Sequence, residues 1–224
     1  MVSSLIVLEA FDLYRFYHAK EEETSALHGV SIDVNRGEIV VVMGASRRGK
    51  STLLACLAGL DEPDRGYVKL MGKCLTRRPE VERAQMRAAL VGILPQSSNL
   101  FEYLSIEENM RLKMHLARKL NERRLDELID WVGLHSRRKV RSSRLSAGEA
   151  ARAGLAVALA ASPSVLLANE PTGEVDAETE RQILNLFEAY RQQGGAILIA
   201  TRSDFVASHA DRVVLLQDGK VIND

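Results

Sequence analysis

The chain has 224 residues, and 46% of them are apolar, which is enough for one α/β domain with an inserted lobe and too much for a disordered chain. Its 30 basic and 30 acidic residues cancel, so the composition does not favour a nucleic-acid partner. Cys56 and Cys74 are not expected to pair, which favours free thiols in a reducing compartment. The five histidines show no metal-ligand spacing.

The beginning of the chain does not resemble a signal peptide. Residues 1–4 lack a basic start, and Glu9 and Asp12 follow soon afterwards. No apolar run approaches the ~20 residues that a membrane-spanning helix needs. We therefore expect a soluble, cytoplasmic protein whose link to a membrane runs through a partner.

Strands and helices alternate along the chain. The first forty residues predict strands of an antiparallel piece at 5–8 and 30–34, and the apolar run 39–43 predicts a buried strand followed by a helix at 50–60. The later predicted strands are 67–71, 91–94, 165–168, 196–200 and 213–216, and the later helices include 79–89 and 177–192. Asp218-Gly219 predicts the turn of a final hairpin.

A charged helical stretch at 105–134 interrupts the strands. Ser105 and Glu108 form a capping-box pattern at its start, and Asn121 is expected to cap a second helix. We predict a single domain over 1–224, with a core of 1–95 and 160–224 and a helical lobe at about 97–159. The predicted fold class is α/β, with a mostly parallel sheet flanked by helices, an antiparallel layer and the inserted lobe.

A phosphate-binding pattern, G-x-x-x-x-G-K-[ST], lies between the predicted strand 39–43 and the helix that follows. Its residues are Gly44, Ala45, Ser46, Arg47, Arg48, Gly49, Lys50, Ser51 and Thr52. Glycines allow the backbone to curl around an anion, and the N–H groups and dipole of the helix start attract phosphates. Lys50 would reach the β- and γ-phosphates and the Ser51 hydroxyl would reach Mg²⁺. We therefore predict nucleoside triphosphate binding with Mg²⁺.

Two later segments resemble the ATP-binding cassette ATPases. The run Leu145-Ser146-Ala147-Gly148-Glu149 is similar to that family's signature, L-S-G-G-Q or L-S-G-G-E. The resemblance implies that this helix start meets the γ-phosphate held by another subunit. The same run also fits an ordinary capped helix start, and both can hold. The strand at 165–168 with Asn169 and Glu170 resembles the second nucleotide motif, which implies a metal position at Asn169 and a water-polarising role for Glu170.

The resemblance covers the chain from Tyr17 to Gly219 and implies further roles. Tyr17 matches the aromatic residue that stacks on adenine, with a buried core aromatic as the alternative. Gln96 matches the glutamine that touches Mg²⁺ and water, and Asp176 matches a loop that crosses to the other subunit. The pattern L-A-x-E-P-T-G is most similar to the lipoprotein-releasing, macrolide-exporter and cell-division cassettes. ATP, Mg²⁺, a second cassette (identical or different) and integral membrane subunits are the implied cofactors and partners, at the cytoplasmic face of the membrane.

The chain departs from the family pattern in four ways, at five residues. Arg47 and Arg48 replace small residues of the phosphate loop, Asn169 replaces a metal-linked aspartate, Arg202 replaces a histidine that contacts the γ-phosphate, and Ala147 replaces a signature glycine. Asparagine lacks the negative charge that a hard cation prefers, and arginine does not reproduce the reach of histidine. Three of these departures, in the phosphate loop, at Asn169 and at Arg202, therefore lie at this chain's own ATP site. The signature segment, which serves the opposite site, is nearly intact.

Family members dimerise head to tail, so each ATP lies between one chain's phosphate loop and the other chain's signature. We expect an ATPase subunit that drives a transporter or a membrane-linked mechanical complex, with impaired hydrolysis at its own site. One alternative is a silent cassette that completes the site of a competent partner. Another is a working ATPase with tolerated substitutions, favoured by the retained Lys50, Gln96 and Glu170. A cassette without a membrane partner ranks last, because the chain shows no second cassette, long arm or basic extension.

Overall fold

The computed structural model describes residues 5–19, 22–45, 49–96 and 99–223. Four strands form an antiparallel sheet in the order β2-β1-β4-β5. Their bounds are Ile6–Ala19 for β1, Glu22–Asn35 for β2, Arg65–Leu70 for β4 and Lys73–Cys74 for β5.

Strand β1 is much longer than the segment 5–8 that the sequence predicted. Leu8, Ala10 and Leu13 are all buried, although their spacing changes from two residues to three. The pairing with β2 shifts between Ala10 and Leu13, and Asp12 has a φ of 52°. A bulge therefore inserts one residue and breaks the alternation that would have revealed a long strand.

The second sheet has six strands in the order β10-β9-β3-β8-β7-β6. Their bounds are Ile39–Met43 for β3, Val91–Leu94 for β6, Val165–Asn169 for β7, Ala196–Thr201 for β8, Arg212–Gln217 for β9 and Lys220–Asn223 for β10. All neighbours run parallel except β9 and β10, which form the predicted hairpin. Met43 pairs with Thr201 and Asn169 with Ala200, so β3, β8 and β7 end side by side. The loops after these three strands consequently meet at one edge, where α/β proteins bind ligands.

Seven α-helices occur among the described residues. They are α1 (Lys50–Leu57), α2 (Glu80–Leu90), α3 (Ile106–Leu116), α4 (Glu122–Trp131), α5 (Ala147–Leu159), α6 (Ala177–Gln192) and α7 (Asp204–Ala207). The predicted capping box of Ser105 and the cap at Asn121 are both present. Helix α1 ends three residues before the predicted Leu60, because the chain turns at Gly59 with a φ of 66°.

The core lies on both faces of the six-stranded sheet. Ile39 and Val41 of β3 belong to a cluster with α3, α4, α5 and α6, whereas Val40 and Val42 belong to a cluster with α1 and the antiparallel sheet. The helices at 106–159 thus share one core with the sheet, and their treatment as a separate lobe stays a prediction. The predicted fold class is confirmed. Within the described ranges, every helix is too short or too polar to cross a bilayer.

Candidate functional site

The phosphate loop follows β3 at the shared strand edge. A Cβ atom on Gly44 would lie 2.3 Å from the Leu216 carbonyl oxygen, and one on Gly49 would lie 2.5 Å from that of Ala26. Gly49 also has a φ of 98°. Both positions therefore require glycine, as the phosphate-binding pattern predicts. Ser46, Arg47 and Arg48 lie outside the described residues.

Lys50 is the first residue of α1, and only 6% of its surface is exposed. Its Nζ atom donates hydrogen bonds to the carbonyl oxygens of Gly44, at 2.5 Å, and Ala45, at 3.1 Å. Burial lowers the pKa of Lys50, the negative charge of Glu170 opposes that shift, and the positive charge of Arg202 adds to it. Three predicted catalytic residues, Lys50, Glu170 and Arg202, therefore lie close enough for their charges to influence one another.

Asn169 is the last residue of β7 and faces the start of α1. Its Nδ2 atom donates to the Ser51 hydroxyl oxygen over 3.3 Å. An aspartate here would instead accept a hydrogen bond from the Ser51 hydroxyl, because a carboxylate only accepts. The substitution therefore leaves a neutral amide beside Ser51.

The predicted metal ligands Ser51, Gln96 and Asn169 are all neutral oxygen donors. No group of three or more His, Cys, Asp or Glu residues in the described part of the chain could hold a metal ion. Mg²⁺ sites commonly combine one or two carboxylates with substrate phosphates. This donor set therefore fits a cation that arrives with the phosphates, and does not fit one held by the protein alone.

Glu170 and Arg202 form an ion pair at the ends of β7 and β8. The Arg202 Nε atom lies 3.2 Å from Oε1 of Glu170, and the Arg202 N–H donates to Oε2 over 3.3 Å. The Thr201 hydroxyl also donates to Oε2, over 2.9 Å. The Glu170 side chain is 12% exposed and that of Arg202 is 59% exposed. Both carboxylate oxygens are therefore engaged by Arg202 and Thr201, which reduces the number of acceptor positions open to a water molecule.

The backbone at Glu170 helps to hold this arrangement. Its φ is 46°, and its N–H donates to the Ala200 carbonyl oxygen over 2.8 Å. Glu170, Gln96 and Ala147 line a cleft of about 140 Å³. The structure thus joins residues from the second nucleotide motif, the predicted Mg²⁺ glutamine and the signature around one cavity.

The signature segment forms the beginning of α5. The Ser146 hydroxyl accepts a hydrogen bond from the Glu149 N–H, and the Glu149 carboxylate accepts one from the Ser146 N–H. The bond from the Ser146 N–H lowers the pKa of Glu149, and the Arg137 guanidinium lowers it further. The capped-start interpretation is therefore confirmed, and contact with another subunit's phosphate stays a prediction.

Gly148 and Asp176 are connected through Thr179. A Cβ atom on Gly148 would lie 2.8 Å from the Thr179 hydroxyl oxygen. Asp176 is the N-cap of α6 and accepts from both the backbone N–H and the hydroxyl of Thr179, at 2.9 and 3.0 Å. The signature helix and the start of α6 therefore touch, which the sequence did not reveal.

Tyr17 lies near the end of β1 and is 38% exposed, so it is not a buried core aromatic. Its hydroxyl donates to Asp61 over 2.7 Å, and the Arg15 guanidinium lies 4.8 Å from the centre of its ring. Sequence reasoning missed Arg15 and Asp61. The i, i+2 spacing of Arg15 and Tyr17 places both residues on one face of the strand, which the sequence could have predicted. The contact of Tyr17 with Asp61, 44 residues away, could not be predicted from the sequence.

Comparison with known proteins identifies relatives over the whole chain. The profile of a family described as "ABC transporter" matches residues 27–173. The macrolide export ATP-binding/permease protein MacB of Chlorobium luteolum is 35% identical over 226 residues, covering 100% of this chain and 34% of MacB. The lipoprotein-releasing system ATP-binding protein LolD of Acinetobacter baylyi is 37% identical over 221 residues, covering 96% of this chain and 97% of LolD. The chain thus spans about a third of the macrolide export protein.

Solved structures agree with this match. A dimeric bacterial ABC transporter cassette aligns with a TM-score of 0.89 and 28% identity, covering 96% of this chain and 97% of the cassette. A dimeric cassette in a post-hydrolysis state, bound to ADP and phosphate, aligns with a TM-score of 0.90 and 27% identity over the same shares. The predicted resemblance to the cassette ATPases, including the lipoprotein-releasing and macrolide-exporter group, is confirmed.

Proposed function

This chain belongs to the ABC transporter family, and we propose that it is the ATP-binding subunit of a membrane complex, with slow hydrolysis at its own site. It pairs head to tail with a second cassette and docks on integral membrane subunits at the cytoplasmic face. The dimeric solved cassettes and the transporter names of the relatives support this assembly.

ATP binding is the first part of the proposal. The residues from Gly44 to Thr52 cradle the phosphates, and Lys50 exchanges its two loop carbonyl oxygens for the β- and γ-phosphates. Tyr17 stacks on the adenine. Ser51, Gln96 and Asn169 would hold Mg²⁺ that arrives with ATP, and the ion would supply neutralisation of the phosphate charge in phosphoryl transfer.

The ion pair between Glu170 and Arg202 carries the proposal of slow hydrolysis. A general base must reach the attacking water within hydrogen-bonding distance. Here the carboxylate that would do so is held by a guanidinium and a hydroxyl. Asn169 weakens the same site from the metal side, because it lacks the carboxylate charge.

Completion of a partner's site is the second candidate role. The signature start keeps its serine, its capping box and Gly148, and Asp176 is fixed at the start of α6. Ser146, Ala147, Gly148 and Glu149 then contribute to the ATP site of the opposite cassette. This role is compatible with a slow own site if the partner cassette is competent.

Restoring the family residues tests the hydrolysis proposal. We expect the double variant Asn169→Asp/Arg202→His to hydrolyse ATP at least about tenfold faster than the wild type, because it restores metal charge and frees Glu170. The measurement is steady-state phosphate release, with each single variant separating the two causes. As a control, Lys50→Ala in either background should weaken ATP binding by about one to two decades. A fast wild-type rate that the double variant leaves unchanged would contradict slow hydrolysis.

A further inference from the structure

A charged network surrounds the tyrosine that is proposed to stack on adenine. Arg15 and Tyr17 project from the same face of β1, two residues apart. Asp61 lies just beyond the helix that begins at the phosphate loop. The Arg15 guanidinium and the Tyr17 hydroxyl both bind the Asp61 carboxylate, so one side chain joins the two.

The contacts within this network are short and directed. The Arg15 Nε atom donates to Oδ2 of Asp61 over 3.0 Å, and NH2 lies 2.8 Å from Oδ1, so the pair is bidentate. The Tyr17 hydroxyl donates to Oδ2 over 2.7 Å. The side chains of Arg15 and Asp61 are each 22% exposed, so water screens the pair less than a surface pair. Burial and the bond to Asp61 raise the pKa of Tyr17, and hydrogen bonds with Thr52 and Arg15 act in the opposite direction.

Asp64 fixes the same loop to the strand. Its carboxylate accepts from the Phe16 N–H over 2.8 Å and lies 3.3 Å from Arg15, while its own N–H donates to the Tyr14 carbonyl oxygen over 2.9 Å. The loop after α1 is therefore attached to β1 on both sides of Arg15. This attachment sets the position of the Tyr17 ring relative to the helix that carries Lys50.

The Arg15 guanidinium also covers one face of the Tyr17 ring, with its central carbon 4.8 Å from the ring centre. A base that stacks on this ring can then use only the opposite face. Asp61 holds the Tyr17 hydroxyl and Arg15 covers one face of the ring, so the ring is oriented before a ligand arrives. The loss of side-chain conformational entropy on binding is therefore smaller.

We propose that Arg15 and Asp61 are positioning residues that orient Tyr17 for the nucleotide base and fix its distance from the phosphate loop. This inference rests on the proposed ATP binding. It predicts a specific division of labour: the network acts on the base, and Lys50 acts on the phosphates. Stacking tolerates any base, so GTP should respond to the network as ATP does.

The test compares a ligand that has a base with one that lacks it. Calorimetric titrations with ATP and with inorganic tripolyphosphate, both with Mg²⁺, are made on the wild type, Arg15→Met and Asp61→Asn. Stacking of a base on an aromatic ring contributes roughly five- to hundredfold in affinity. Misorientation of the ring should lose part of this, so we expect about three- to tenfold weaker ATP binding. Tripolyphosphate affinity should stay within about twofold of the wild type, because the phosphate loop is untouched.

Three controls separate positioning from a structural role. Arg123→Met removes an exposed ion pair with Glu127, at 2.9 Å, and should leave both affinities unchanged. Lys50→Ala should weaken both ligands. In a Tyr17→Ala background, Arg15→Met should have no further effect on ATP, because the ring on which it acts is gone.

The outcomes are distinct. Equal losses for ATP and tripolyphosphate in Arg15→Met would overturn the inference, since the network would then act through the loop or the fold. Unchanged ATP affinity in both network variants would overturn it too, while the proposed function would stand if Lys50→Ala still weakened binding. A wild type that binds neither probe would instead contradict the proposed function and, with it, this inference.

Discussion

Two helix starts in this protein have the same predicted partner, a phosphate, but are built in different ways. Helix α1 begins after Gly49 with no side-chain cap and no acidic residue in its first turn. Helix α5 begins with Ser146 and Glu149 joined in a capping box, and Glu149 places a carboxylate in the first turn. The first start leaves its N–H groups and dipole for a ligand, whereas the second satisfies part of them internally.

The surroundings of the two starts differ in the opposite sense. Beside α1, the neutral Asn169 donates to the Ser51 hydroxyl, and Arg202 forms an ion pair with the carboxylate of Glu170. Beside α5, Thr179 packs against Gly148 and is itself held by Asp176. The start of α1 is therefore bordered by the neutral Asn169 and the Glu170–Arg202 ion pair, whereas the start of α5 is closed by its own cap and contacts the capped start of α6.

The largest expected effect comes from adding a carboxylate to the signature. In the reconstituted complex, Gly148→Asp should reduce phosphate release by at least about a hundredfold. Two like charges ~4 Å apart at an effective dielectric constant of about 20 repel by ~4 kcal/mol, which exceeds the ~2.7 kcal/mol that such a loss requires. The measurement is the steady-state rate of the assembled complex.

Gly148→Ala is the matched control for this variant. Both substitutions add a Cβ atom that would lie 2.8 Å from the Thr179 hydroxyl oxygen, but only the aspartate adds charge. Gly148→Ala should lose clearly less activity. Equal losses in the two variants would show that the contact with Thr179, and not a facing phosphate, explains the effect.

The sequence predicted the glycines of the phosphate loop, but it did not predict the ion pair that lies beside the loop. The pattern from Gly44 to Thr52 predicted glycines at 44 and 49, and the φ of 98° at Gly49 is a local reason for one of them, whereas the nearby carbonyl oxygens of Leu216 and Ala26 belong to distant segments. The engagement of Glu170 by Arg202 could not be predicted, since it depends on β7 and β8 being neighbours in the sheet. In the signature half, Ser146 and Glu149 were readable as a local cap, whereas the contact of Gly148 with Thr179 joins residues 31 apart. Local backbone chemistry was therefore predictable, and pairing between distant segments was not.

A smaller effect is expected on the phosphate-loop side. Glu170→Gln should change phosphate release from the complex by no more than about twofold, because Arg202 and Thr201 already engage this carboxylate. Glutamine keeps the length and one acceptor for the Thr201 hydroxyl. The same assay serves as for Gly148→Asp. Abolished turnover in Glu170→Gln together with full activity in Gly148→Asp would reverse the comparison and place the active site in this chain.

The smallest expected effect is on stability and sharpens the account of the α5 start. The Ser146 N–H and Arg137 stabilise the charged form of Glu149 and lower its pKa in the folded protein. Such a carboxylate contributes its full stabilisation above the unfolded pKa of about 4.3, and loses it as the pH falls through the lower folded value.

Glu149→Gln keeps the capping geometry, since glutamine also closes the box, but removes the charge. At pH 7 and low salt it should therefore lower the free energy of unfolding by only ~0.3–1 kcal/mol. In urea unfolding followed by circular dichroism, the difference from wild type should shrink as the pH falls below about 4. A difference that is independent of pH would show that the neutral hydrogen bonds of the box, and not the charge of Glu149, stabilise the helix start.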